Sequence, residues 1–173
     1  AEHIAHYYHG SNFLCYTSND LIGIQVGGAV KNVIAIATGI ADGLGCGANA
    51  RAALITRGLR EITRLATALG AEEETLTGLA GMGDLVLTCT DDQSRNRRFG
   101  LALGRGDSAE AAKAAIGQTV EGEGATHDTY ALAQQHGIRM PITEHLHQML
   151  AGNSSLEDTF TSLLNRQIKQ ERH

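Results

Sequence analysis

Tryptophan is absent from the 173 residues, and three Phe and four Tyr supply all the aromatic rings of that size. That scarcity argues against a surface for stacking single-stranded nucleic-acid bases. Charge is sparse as well. Only 19% of residues are Asp, Glu, Lys or Arg, and 14 basic side chains against 19 acidic ones leave a net charge of −5. Such a chain has no global electrostatic attraction for nucleic acid or an anionic membrane. Cys15, Cys46 and Cys89 form no C-x-x-C pair, which argues against a zinc knuckle or a disulfide framework. Reduced thiols in a cytosolic protein are the simpler reading. The most apolar stretch, Leu21 to Leu44, is interrupted by Gln25, Lys31, Asn32 and Asp42. Lys or Asp near the centre of a membrane helix costs about 3 kcal/mol each, which argues against a membrane span.

What is present is hydrophobic substance, 42% of residues, and glycine: 21 glycines stand against a single proline. Glycine at that level without low-complexity repeats implies close helix packing, helix C-caps and backbone that lies against a ligand. The length allows one ordinary domain with a sizeable core.

Read along the chain, Ala1 to Gly10 is the end of an amphipathic helix, and Asn12 to Ser18 reads as one short strand. One strand makes no sheet, so the expectation is that the chain begins inside a larger protein. The remainder reads as helices. Asn19 or Asp20 caps a long helix to about Asp42, and Asn49 precedes a second that closes at Gly70. A segment from Glu72 to Leu79 leads through Gly78–Gly83 into Asp84–Thr90. Ser94 and Ser108 cap two further helices, and Glu121 or Gly122 begins one closed by Gly137. Pro141 holds a first helical position. Ser154 with Glu157 forms a capping box for a last helix to about Lys169. The fold class is all-α with a strand stub attached.

Three places carry chemistry. Lys31 lies mid-helix among apolar residues, with Gly27 and Gly28 four and three residues before it. Side chains lean toward the helix N-terminus, so its ammonium stands over bare backbone, a groove for a ligand. The alternative is a lysine snorkelling from a partly exposed helix. In Gly81-Met82-Gly83-Asp84, the acid shares a helical face with Thr88; the alternative is a capping Asp and a Thr bonded back to its own helix. In Ser94-Arg95-Asn96-Arg97-Arg98, three arginines fill a first helical turn, where the helix dipole opposes positive charge. An anion, most naturally phosphate, docking on the free N–H groups would reconcile that, as would pairing with Asp91 and Asp92. Loose G-x-G-x-x-A matches at Gly43, Gly45 and Gly104 follow no strand and carry no weight. His3, His6, His9, His145 and His147 lack partners at metal-binding spacing.

Taken together, GGAVKN (27–32), GANARAALITRGL (47–59), GMGDLVLTC (81–89), SRNRRFG (94–100), IGQTVEG (116–122) and MPITE (140–144) resemble the bacterial NAD(P)-dependent glycerol-3-phosphate dehydrogenases. The resemblance runs in order along nearly the whole chain and points to the family's C-terminal, helical, substrate-binding domain, a multi-helix domain like that of 6-phosphogluconate dehydrogenase. It implies that residues 1–20 are the last helix and strand of an N-terminal Rossmann domain and that 21–173 form the catalytic, substrate-binding domain. The implied reaction interconverts sn-glycerol 3-phosphate and dihydroxyacetone phosphate with NAD or NADP, for glycerophospholipid synthesis, in a cytoplasmic homodimer. By the same resemblance, Lys31 is the proton donor and acceptor. Asn32, Asp84 and Thr88 orient substrate and lysine, and Ser94, Arg95 and Asn96 clamp the phosphate. Arg95, Val120 and Glu121 meet the dinucleotide, and no metal is implied. This half alone should be nearly inactive, because proximity of cofactor and substrate is worth about 7–11 kcal/mol. A related helical-domain dehydrogenase of another small hydroxy acid, or a non-catalytic helical dimerisation module, are the competing readings.

Overall fold

The structure, a computed structural model, describes residues 1–10 and 12–164. Among the described residues ten α-helices follow one another: α1 (Glu2–Tyr8), α2 (Leu21–Gly43), α3 (Gly47–Ala68), α4 (Glu73–Thr77), α5 (Asp84–Thr90), α6 (Arg95–Gly104), α7 (Ala109–Ile116), α8 (Glu121–Gln135), α9 (Pro141–Leu150) and α10 (Leu156–Leu164), with a π-helical turn over Leu79–Gly83 before α5. The all-α expectation holds for the described residues.

Helix α2 is the axis of the domain. From Val33 to Ala41 every residue is buried and all but Thr38 are apolar, and a helix so nearly apolar all round belongs in a core. Helices α3, α5, α6, α8 and α9 pack around it. By length and composition it is also long and apolar enough to cross a membrane, yet 56% of its most apolar stretch is buried inside the protein. Asp20 starts it: the carboxylate accepts from Gly23 N at 2.7 Å and from Glu72 N at 2.9 Å, so one side chain caps α2 and fixes the entry to α4. Those bonds, that to Gly23 foremost, hold its carboxyl below the usual aspartate range.

The tightest packing is between α2 and α6, and glycine makes it possible. A β-carbon on Gly39 or Gly100 would collide with the facing backbone, Gly39 against Arg97 and Gly100 against Ile36. Gly43 and Gly104 repeat the arrangement at the helix ends. Ile36 faces Gly100 and Ile40 faces Gly104, so the helices run in the same direction, and the start of α6 is set beside the middle of α2.

Several boundaries match the sequence. Ser94 and Ser108 cap α6 and α7 with their hydroxyls, and Gly117 closes α7 at φ +66°. Pro141 opens α9. Its next N–H groups are capped from elsewhere, by the buried Glu61 of α3, which accepts from Ile142 N at 2.8 Å and Thr143 N at 3.3 Å.

Other expectations need correction. Residues 12–18 do not form a strand: apart from an isolated bridge between Gly10 and Phe13, the segment has no strand to pair with among the described residues. A strand without a neighbour leaves its backbone to water. Helix α3 begins at Gly47, two residues before Asn49, with no side-chain cap. The final capping box is displaced by one residue: Ser155 Oγ, not Ser154, accepts from Asp158 N at 3.1 Å and donates to the Asp158 carboxylate at 2.6 Å. The end of that helix near Lys169 lies outside the described residues.

Candidate active site

Lys31 and Asn32 sit at the midpoint of α2, half-buried, just where the apolar run begins. The Lys31 ammonium forms an ion pair with the Asp84 carboxylate, the first residue of α5; the two side chains keep 23% and 35% of their exposure, so the pair is open to a ligand. Thr88, one turn further along α5, donates its hydroxyl to the Asp84 carbonyl at 2.6 Å and lies 3.4 Å from the carboxylate. The alternative in which Thr88 bonds back to its own helix is thus realised. Asp84 is not a cap, because its carboxylate turns to the lysine.

Of the two glycines beside Lys31, only one leaves a groove. Gly28 has nothing within 4 Å of where a β-carbon would stand, whereas Gly27 packs against Leu76 and Ala80. Asn32 donates weakly to the Gly28 carbonyl at 3.4 Å.

The first turns of α6 and α8 converge beside this point. Asn96, 6% exposed, accepts at its Oδ1 from Gly122 N at 2.8 Å. A β-carbon on Gly122 would lie 2.9 Å from the Asn32 carbonyl oxygen, so α2, α6 and α8 touch there. Both helix N-termini carry positive dipole ends. In α6, Arg97 N is satisfied by Ser94 Oγ and Arg98 N by the Ser94 carbonyl, which leaves the N–H groups of Arg95 and Asn96 for a ligand. Arg95 spans the gap to α8 and pairs with Glu121 at 3.2 Å, with over a third of its side chain exposed. Val120, the N-cap residue of α8, is buried, 7% exposed.

The arginines divide by role. Arg97 is buried and pairs through one guanidinium nitrogen with Asp42 at 2.9 Å and Asp92 at 3.4 Å, while its Nε and other terminal nitrogen are buried without a hydrogen-bond partner. Asp42 also takes Arg51 at 2.7 Å. The carboxylate-pairing alternative therefore holds for Arg97, through Asp92 as expected and through Asp42, which local sequence does not bring near. Arg98 is exposed. Among the described residues no three His, Cys, Asp or Glu side chains come together as a metal site.

The pattern of a family described as "NAD-dependent glycerol-3-phosphate dehydrogenase C-terminus" matches residues 20–161. The chain belongs to this family. A glycerol-3-phosphate dehydrogenase [NAD(P)+] of Haemophilus ducreyi is 63% identical over 92% of the chain and 47% of its own length. That of Pseudoalteromonas translucida is 59% identical over 94% of the chain and 48% of its own. The crystal structure of glycerol-3-phosphate dehydrogenase from Coxiella burnetii superposes with a TM-score of 0.92 at 53% identity, covering 95% of this chain and 51% of that one. The chain spans about half the length of the curated relatives it matches.

Membership of the glycerol-3-phosphate dehydrogenase family gives the geometry its context. The matched region opens at Asp20, the first buried residue among those described. Of the residues singled out from the sequence, Lys31, Asp84 and Thr88 make one group; the Asn32 backbone, Asn96 and the Arg95–Glu121 pair gather at the starts of α6 and α8, whose N-cap residues are Ser94 and Val120. Gly122, which joins the second group, was marked in the sequence only as a possible helix start and the end of IGQTVEG; its hydrogen-bond partner lies 26 residues away.

Proposed function

We propose that this chain is the substrate-binding and catalytic half of a glycerol-3-phosphate dehydrogenase, interconverting sn-glycerol 3-phosphate and dihydroxyacetone phosphate with NAD or NADP. In this reading residues 21–173 make that domain and residues 1–20 belong to a preceding dinucleotide-binding domain. The protein works in the cytoplasm as a homodimer and serves glycerophospholipid synthesis. The observation that carries the reading is the partly open Lys31–Asp84 pair, set on the same stretch of α2 as the paired N-termini of α6 and α8.

In reduction, Lys31 Nζ delivers a proton to the carbonyl oxygen; in oxidation it takes the proton from the hydroxyl. Asp84 holds the ammonium in place against the open face at Gly28, and Thr88 steadies Asp84. The substrate phosphate lies on the N–H groups of Arg95 and Asn96 with the Arg95 guanidinium, and Ser94 Oγ keeps its O–H free to donate. Bound NAD(P) would supply the hydride chemistry. The residues present fit one edge of a dinucleotide: Arg95 has exposed guanidinium for a phosphate, beside Glu121 and the Val120 backbone.

The test is steady-state kinetics on this domain joined to its dinucleotide-binding partner. Lys31→Met should lower kcat by about 10²–10⁴ with little change in KM for dihydroxyacetone phosphate. Arg95→Met should act chiefly on KM. Undiminished turnover by Lys31→Met would sink the proposal.

A further inference from the structure

Asn96 is 94% buried by exposure, yet half of its carboxamide is unused: Oδ1 accepts from Gly122 N, while Nδ2 makes no hydrogen bond and is not sealed from solvent. A free asparagine can present either its oxygen or its NH₂ to a ligand by turning through half a revolution. Here the oxygen is committed. Val120 caps α8 without a side-chain bond, so Gly122 N is one of that helix's orphan donors, and Asn96 reaches across from α6 to satisfy it. What remains for a ligand is a pair of donors on the second residue of α6, the helix whose first turn also carries the free N–H groups of Arg95 and Asn96 and the partly exposed Arg95 guanidinium.

We infer that Gly122 is a positioning residue for the anion site: its N–H fixes the Asn96 carboxamide with the NH₂ outward, so that the site accepts phosphate oxygens and rejects groups that need an acceptor. The inference rests on the proposed phosphate-binding role of this region and names the element that sets its polarity. The absence of a side chain at 122 is part of the device. A β-carbon would stand 2.9 Å from Asn96 Oδ1, 2.9 Å from the Asn32 carbonyl oxygen and 2.7 Å from Ile36 Cδ1. It would separate α8 from both helices and lengthen the bond that holds the carboxamide.

The experiment uses the 173-residue chain, nitrogen-15 labelled, titrated with inorganic phosphate and followed by NMR. Phosphate should move the Asn96 side-chain NH₂ signals saturably, and Arg95→Ala should abolish that movement. Gly122→Ala should weaken phosphate binding by about tenfold or more and leave the Asn96 NH₂ signals unresponsive. Asn96→Asp keeps an acceptor for Gly122 N–H and removes both donors, so it should fold with the Gly122 amide still hydrogen-bonded and lose phosphate binding; it serves if Gly122→Ala does not fold. No saturable shift in the wild-type chain, or one indifferent to Arg95→Ala, would overturn the phosphate reading and the inference together. Binding that depends on Arg95 but leaves the Asn96 NH₂ unmoved, or persists at wild-type strength in the 122 or 96 variant, would overturn the inference alone.

Discussion

Gly43 and Gly104 meet backbone to backbone, with the Gly43 α-carbon 2.9 Å from the place a β-carbon would take on Gly104. The same β-carbon would collide with the Ile40 carbonyl oxygen, which belongs to the rigid backbone of α2. Gly104→Ala must therefore push α6 away from α2, and overpacking of this kind costs about 1–3 kcal/mol. The loss exceeds the ~1 kcal/mol that Ala gains over Gly by helix propensity. Urea unfolding of the chain should show a lower midpoint with an unchanged slope.

Gly28→Ala should do the reverse. It lies inside α2, and a β-carbon there meets nothing within 4 Å. Helix propensity then acts alone and stabilises the chain by about 0.4–1 kcal/mol. The new methyl stands on the open backbone beside Lys31, where the substrate is proposed to lie. Thermal unfolding should move up while kcat/KM of the two-domain enzyme falls. A variant both stabilised and fully active would mean that the groove is not used.

These two glycines also show what the sequence could tell. Glycine content predicted close packing and bare backbone, and both exist, but nothing local distinguishes Gly28 from Gly104. The difference lies in which helix arrives opposite, and α6 starts 67 residues after Gly28. The helices themselves were legible because their signals are local: Ser94, Ser108, Pro141 and Gly117 each act within one turn. Residues 12–18 misled for the converse reason, since an extended pattern becomes a strand only beside another. Arg97 was ambiguous because its main partner, Asp42, lies at the far end of another helix. Lys31 with Asp84, 53 residues apart, was brought together only by the family resemblance.

Glu61 should make stability depend on pH. Burial raises its carboxyl above the ordinary glutamate value, and the bonds from Ile142 N and Thr143 only partly offset that. The folded state therefore holds this proton more tightly than the unfolded chain, for which the reference value is 4.5. Linkage makes the Glu61 contribution fall as pH rises from that value through the raised folded one, with the full penalty above it. Glu61→Gln should flatten this part of the pH profile in urea unfolding. Glu61→Ala should cost about 1–3 kcal/mol, because the first N–H groups of α9 then lose their buried acceptor.

Cys89 should be chemically silent in the folded protein. It is fully buried, and burial pushes its thiol up to about 12 against the smaller opposing effects of Thr38, Arg97 and Lys31. At pH 8 its thiolate fraction is then on the order of one part in 10⁴, and the thiolate is the reactive form. Cys15 and Cys46 are half-buried and open to reagent. An aromatic disulfide reagent at pH 8 should release two equivalents quickly from the native chain, with the third appearing only as urea unfolds it. Peptide mapping after brief alkylation should find the label on Cys15 and Cys46. Native labelling of Cys89 at a comparable rate would mean that α5 opens from α2 far more readily than its packing allows, and the Lys31–Asp84 pair would open with it.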